Sequence, residues 1–302
     1  MFVNKGFQVG WWLIVITICV ILVAGFLGID LEGQYLPSII VESGVLIPIL
    51  IGILYGKKHN TGVRDMLGIE KFHIKILPVA LLLTLGAQYF ITYVTLPVQS
   101  LLIVMFGADT QTSQMIAPKN VWEFVQAFAT LCIVAPIIEE LLCRGVLVKL
   151  FERYGAGVVI VSSSLAFTLL HFEARSFFQI FFVGALFGVF RLYTGSVLVT
   201  IFMHSFNNLL SLVQIILVEH NCFSALAIVI IVLALLFPFI LYLTFTRGRK
   251  YFGYVNMTRE KTGFSVGALI CAIMFFGYNF LMFFMRLMNG DCLRDLYNLI
   301  GW

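Results

Sequence analysis

Charge is what this chain has least of. Asp, Glu, Lys and Arg make up 11% of its 302 residues, whereas 61% are hydrophobic and the mean hydropathy is +1.03. That balance excludes a soluble globular domain of this size. Apolar runs of at least ~18 residues recur along the whole chain, the mark of a polytopic helical membrane protein. There is no C-x-x-C pair among the six cysteines, so no thiolate metal site is expected. There is no H-E-x-x-H, so the usual helical zinc signature is missing. No internal repeat is evident, which argues against the paired halves of a secondary transporter. No small-residue cleavage site comes after the apolar run from Trp11 to Ile29, which reads as a retained transmembrane helix rather than a signal peptide.

What is present is helix. The apolar pattern predicts an all-α bundle of about nine membrane helices forming one domain over 1–302. They run approximately over 10–29, 37–55, 76–96, 122–148, 156–172, 177–193, 196–217, 223–246 and 264–286. The shorter piece Leu101–Phe106 reads as re-entrant or interfacial. Cys19, Cys132, Cys143 and Cys271 fall in apolar runs and read as packing residues. Cys222 and Cys292 fall in outer segments, where a disulfide is one option. With the N-terminus placed in the cytoplasm, 15 Lys and Arg fall on the inner side. Four fall outside, namely Lys119, Arg175, Arg286 and Arg294. That asymmetry supports a multi-pass protein of the cell membrane with its N-terminus inside. The net charge of +4 then reflects loops facing anionic lipid, not nucleic-acid binding.

Against this background a few polar residues stand out, because a charge in lipid costs roughly 2.5 kcal/mol or more unless it meets a partner or a water-filled cavity. Glu139-Glu140-Leu141-Leu142-Cys143-Arg144-Gly145 lies late in the fourth helix. Glu140 and Arg144 are i, i+4 and can pair along one face. Glu139 diverges by about 100° and is left the freer carboxylate. Phe167 and His171 share a face of the fifth helix. His204 and Asn208 share a face of the seventh, where they could ligate one metal or donate to one oxyanion. Asn207 points elsewhere. Each motif alone also reads as structure: an ion-pair cluster, or histidine and asparagine bridging helices. Depths counted from the cytoplasmic side are roughly 15 Å for Glu139, roughly 12 Å for His204 and roughly 23 Å for His171, which is compatible with one site. Glu42 is a further intramembrane carboxylate, read as functional or as an interhelical hydrogen bond. Glu173 and Arg175 read as a solvated turn, Gly184-x-x-x-Gly188 as close helix packing, and the basic stretch Arg247–Lys261 as an inner-leaflet anchor.

E-E-x-x-x-R, F-x-x-x-H and H-x-x-x-N, in that order on membrane helices, resemble the CPBP family. That family comprises type II CAAX prenyl proteases and bacteriocin-processing or self-immunity proteins. The resemblance spans about 121–218, which would be the catalytic core. It implies an intramembrane endopeptidase acting on membrane-associated peptides or lipidated proteins. Glu139 would be the general base, His171 and His204 the essential imidazoles, Asn208 an aid to His204, and Glu140 and Arg144 supporting residues. Two mechanisms stay open. A zinc ion on His171, His204 and a carboxylate or Asn208 would carry the water. Alternatively Glu139 and His171 activate water without a metal, and His204 and Asn208 serve the oxyanion. Asparagine is a poor zinc ligand, which favours the second. A non-catalytic scaffold or bacteriocin self-immunity factor is the alternative function, and a transporter the third.

Overall fold

A computed structural model describes residues 5–26, 39, 42–106, 117–220, 227–247 and 265–288. Among them every regular element is helical, with short turns between. We label the helices α1 (Lys5–Phe26), α2 (Leu46–Lys58), α3 (Val63–Leu67), α4 (Ile76–Phe106), α5 (Val121–Ala127), α6 (Ala135–Glu140) and α7 (Leu147–Phe151). The remaining helices are α8 (Ala156–Leu170), α9 (Phe177–Thr194), α10 (Val197–Glu219), α11 (Ala227–Arg247) and α12 (Val266–Met288). Among the described residues four stretches are long and apolar enough to cross a membrane: Lys5–Ala24, Ile76–Met105, Phe177–Thr194 and Val197–Glu219. Ala156–Leu170, Ile230–Thr244 and Val266–Leu281 are apolar but shorter.

The expected helix over 122–148 is continuous in chain but not in winding. π-helical segments Phe128–Val134 and Leu141–Val146 separate α5, α6 and α7. A π turn bonds i to i+5, which widens the helix and rotates the residues beyond it. The two glutamates therefore sit on a six-residue α segment between two wide turns. Other boundaries moved for visible reasons. Leu101–Phe106 is the end of α4, not a re-entrant piece, and Pro97 lies inside that helix. Thr95 and Ser100 return their hydroxyls to the carbonyls of Ile91 and Leu96, a form of local support that keeps proline tolerable in membrane helices. The fifth predicted helix ends at Leu170, because Phe172 turns left-handed with φ 50°. That strained conformation buries the Phe172 ring against Phe275 and Tyr278 of α12.

Two apolar clusters flank the polar residues. One joins Trp11, Ile14 and Ile18 of α1 to Leu142, Val146, Phe151 and Phe167. The other joins Ala80, Leu83 and Ala87 of α4 to Phe187, Phe190, Val199 and Met203 of α9 and α10. Gly184 lets α9 approach α8 closely: a Cβ there would stand 3.1 Å from Arg144 Nη2 and 3.5 Å from Ser164 Cα. Gly145 is tighter still, since a Cβ would lie 2.7 Å from the Leu67 carbonyl oxygen. Cys19, Cys132, Cys143 and Cys271 are free thiols. Cys222, Cys292 and the stretch 248–261 lie outside the described residues.

Candidate functional site

The centre of the site is a buried ion pair. Arg144 Nη1 donates to Glu140 Oε1 at 2.8 Å, and neither side chain has exposed surface. Arg144 Nη2 donates to the Gly184 carbonyl at 2.9 Å, and the guanidinium stacks 4.5 Å from the Phe167 ring centroid. The neighbouring helix answers in kind, Arg191 Nε donating to the Arg144 carbonyl at 2.8 Å. Arg144 thus ties the π segment to α8 and α9, and it bridges the two apolar clusters through Phe167 and Phe187.

Glu140 also reaches α10. His204 Nδ1 lies 3.1 Å from Glu140 Oε1. A carboxylate accepts, so Nδ1 carries the hydrogen, and in the neutral ring Nε2 presents its lone pair. That Nε2 lies 3.9 Å from Glu139 Oε2, an oxygen that is buried and has no hydrogen-bond partner. A water about 2.8 Å from each atom fits that separation. The α10 start is fixed by Ser196, whose side chain accepts from Leu198 N, and His204 comes two turns later.

His171 sits just past α8, with Nδ1 2.8 Å from the Phe167 carbonyl. The carbonyl accepts, so here too Nδ1 carries the hydrogen. The Phe167 ring packs against both imidazoles, with centroids 4.7 Å from His171 and 5.4 Å from His204. Both histidines line one cavity of about 510 Å³, together with Asn207 and Asn208. Glu139 is not a wall of that cavity and approaches it through His204.

Several expectations need correction. Asn208 lines the cavity with His204, and a bond not anticipated runs from its Nδ2 to the Leu131 carbonyl at 2.8 Å, in the first π segment. Asn207 does not point away, since it lines the cavity and its Nδ2 is 3.5 Å from Asn208 Oδ1. Glu173 and Arg175 are no solvated turn. Arg175 is buried, donates 2.8 and 3.0 Å bonds to both Glu173 oxygens, and Glu173 lines the cavity. Glu42 has a buried Oε2 without a hydrogen-bond partner and lies within electrostatic reach of Glu139. Two wall residues, Gln88 and Gln179, were missed. Each is a polar amide within an apolar helix, the same kind of signal that drew attention to the histidines.

A zinc ion would need Nε2 of His171, Nε2 of His204 and a third ligand. Among the described residues no three His, Cys, Asp or Glu side chains gather as metal ligands. Nδ1 of His204 is held by Glu140 and Nδ1 of His171 by the Phe167 carbonyl, so a metal would have to bind through the Nε2 atoms, while Asn208 Nδ2 is bonded to Leu131.

Fold and site together define a helical membrane protein with a carboxylate–imidazole centre opening into a mixed polar and apolar cavity. Residues 121–210 match the family described as type II CAAX prenyl endopeptidase Rce1-like. The match supports the resemblance read from the three motifs, and it covers all of them. The family is one of proteases, which act on peptide substrates. No curated protein and no solved structure matches the chain.

Proposed function

We propose that this protein is an intramembrane endopeptidase that cleaves membrane-associated peptides or lipidated proteins with a water activated by Glu139. The observation that carries the reading is the unpartnered Glu139 Oε2 facing Nε2 of a histidine whose other nitrogen is held by Glu140. The family match points the same way.

Glu139 takes a proton from water as the oxygen attacks the scissile carbonyl. His204 Nε2, 3.9 Å from Glu139 Oε2, receives that proton through a bridging water, and Glu140 steadies the resulting imidazolium through Nδ1–H. The proton then goes to the departing amine as the C–N bond breaks. His171 Nε2 offers a second base on the same wall, Nδ1 being bound to Phe167. Asn208 Nδ2 has two hydrogens; Leu131 holds one, and the other serves the oxyanion. This sequence of steps requires no metal. The chain crosses the cell membrane about nine times with its N-terminus inside, in keeping with the distribution of Lys and Arg.

The test is terminus-selective mass spectrometry of host membranes and medium, comparing wild type with Glu139→Ala at equal protein level. Peptide ends lost in the variant give the substrate and the cleavage site. Identical ends in both samples would sink the reading and favour a non-catalytic scaffold.

A further inference from the structure

One buried acceptor in the cavity wall has no donor. Gln88, in the middle of α4, is 7% exposed, lines the cavity, and its Oε1 has no hydrogen-bond partner. The surrounding bonds fix which end of the amide is which. Ser211 Oγ gives its single hydrogen to the Asn207 carbonyl at 3.2 Å, so towards Gln88 it can only accept. It accepts from Gln88 Nε2 at 3.2 Å, and that orients the carboxamide with Oε1 left over. The neighbouring amide is tied in the same manner. Thr92 donates to the Gln88 backbone carbonyl, so its Oγ1 accepts from Gln179 Nε2 at 3.0 Å. Two glutamines from different helices are thus anchored by their NH₂ groups on the wall that also carries His171 and His204.

A buried carbonyl of this kind costs free energy unless a donor arrives. The donor must fit among the apolar walls, which include Ile180, Val183, Phe187 and Ile215. An extended peptide does this: each backbone N–H is a single donor flanked by side chains that can be apolar. We infer that Gln88 Oε1 accepts a backbone N–H of the substrate peptide close to the scissile bond, and so requires a residue other than proline at that position. This rests on the endopeptidase reading for the identity of the ligand. It assigns a recognition role to α4, which lies outside the segment shared with the protease family.

The experiment uses the full chain in lipid nanodiscs and a fluorescent prenylated CAAX peptide, together with a series N-methylated at one backbone amide at a time. Binding is measured by anisotropy in the Glu139→Ala background, with Gln88 intact, Gln88→Met or Gln88→Leu. Two apolar variants are used so that a folding failure of one does not decide the matter. With Gln88 intact, N-methylation at one position should weaken binding about tenfold. Gln88→Met should weaken the parent peptide by a similar factor and bind parent and N-methylated peptides alike. Sensitivity to N-methylation that persists in both apolar variants overturns the inference. So does parent binding unchanged by the variants, which would mean that water alone serves Oε1, or no peptide binding at all. The endopeptidase reading is judged separately, by cleavage of the parent peptide by wild type against Glu139→Ala. The two ideas can therefore fail independently.

Discussion

Replacing Arg144 by Met removes a charge while keeping most of the aliphatic stem. Glu140 would then remain wholly buried with His204 Nδ1 as its donor. The native pair is held by one 2.8 Å bond rather than two: Glu140 Oε2 and Arg144 Nε have no hydrogen-bond partners. Breaking a buried pair by removing one partner costs about 3–5 kcal/mol. An unpaired charge at the middle of a membrane helix costs about 2.5–3.5 kcal/mol on an insertion scale. The two ranges come from different experiments and overlap near 3 kcal/mol. The Gly184 bond and the Phe167 stacking are lost as well, which favours the upper end. Unfolding by graded denaturing detergent, tracked by tryptophan fluorescence, should register a loss of about 3 kcal/mol or more for Arg144→Met. Arg144→Met with Glu140→Leu removes both charges and should recover much of it, since an apolar replacement of a whole buried pair is often neutral or stabilising. A wild-type midpoint for the single variant, or a double variant weaker than the single, would refute the reasoning.

Glu139→Gln should behave oppositely: stability within about 0.5 kcal/mol of wild type, as no hydrogen bond to Oε2 is lost, and cleavage of the prenylated peptide reduced by at least ~100-fold. Gly184→Ala should destabilise by about 1–3 kcal/mol in the same unfolding assay, because its Cβ would press on Arg144 Nη2 at 3.1 Å and Phe167 Cδ1 at 3.3 Å. Incubation with 1,10-phenanthroline should leave peptide cleavage unchanged; loss of activity restored by added zinc would contradict the metal-free mechanism.

Pairings within one helix were legible from sequence spacing, and those between helices were not. Glu140 with Arg144 comes from i, i+4 alone, and the bond is there. His204 with Asn208 comes from the same rule, yet Asn208 turns to Leu131, whose carbonyl lies in a π segment that apolar periodicity does not reveal. His171 lines the same cavity as His204 despite the difference in counted depth, hydrogen-bonded to Phe167 just before the left-handed turn at Phe172. A left-handed phenylalanine has no sequence signature, being selected by aromatic packing on a helix distant in sequence. Gln88 was missed in the sequence, and only the bond to Ser211 and the orphaned Oε1 give it meaning.

Two adjacent carboxylates meet different fates here because a helix turns about 100° per residue. Glu140 falls on the side of Arg144 and His204 and is consumed by structure. Glu139 falls beside His204 Nε2 and keeps an oxygen without a hydrogen bond. The two roles are linked through one imidazole. Glu140 sets which nitrogen of His204 carries the hydrogen, and so which nitrogen would offer its lone pair to the water in the proposed reaction. Arg144 holds Glu140, so a change at Arg144 reaches the reaction without touching it. Activity of Arg144→Met must therefore be compared with wild type at a temperature where both are folded. A deficit that remains there measures the misplacement of His204, and one that vanishes measures only the fold.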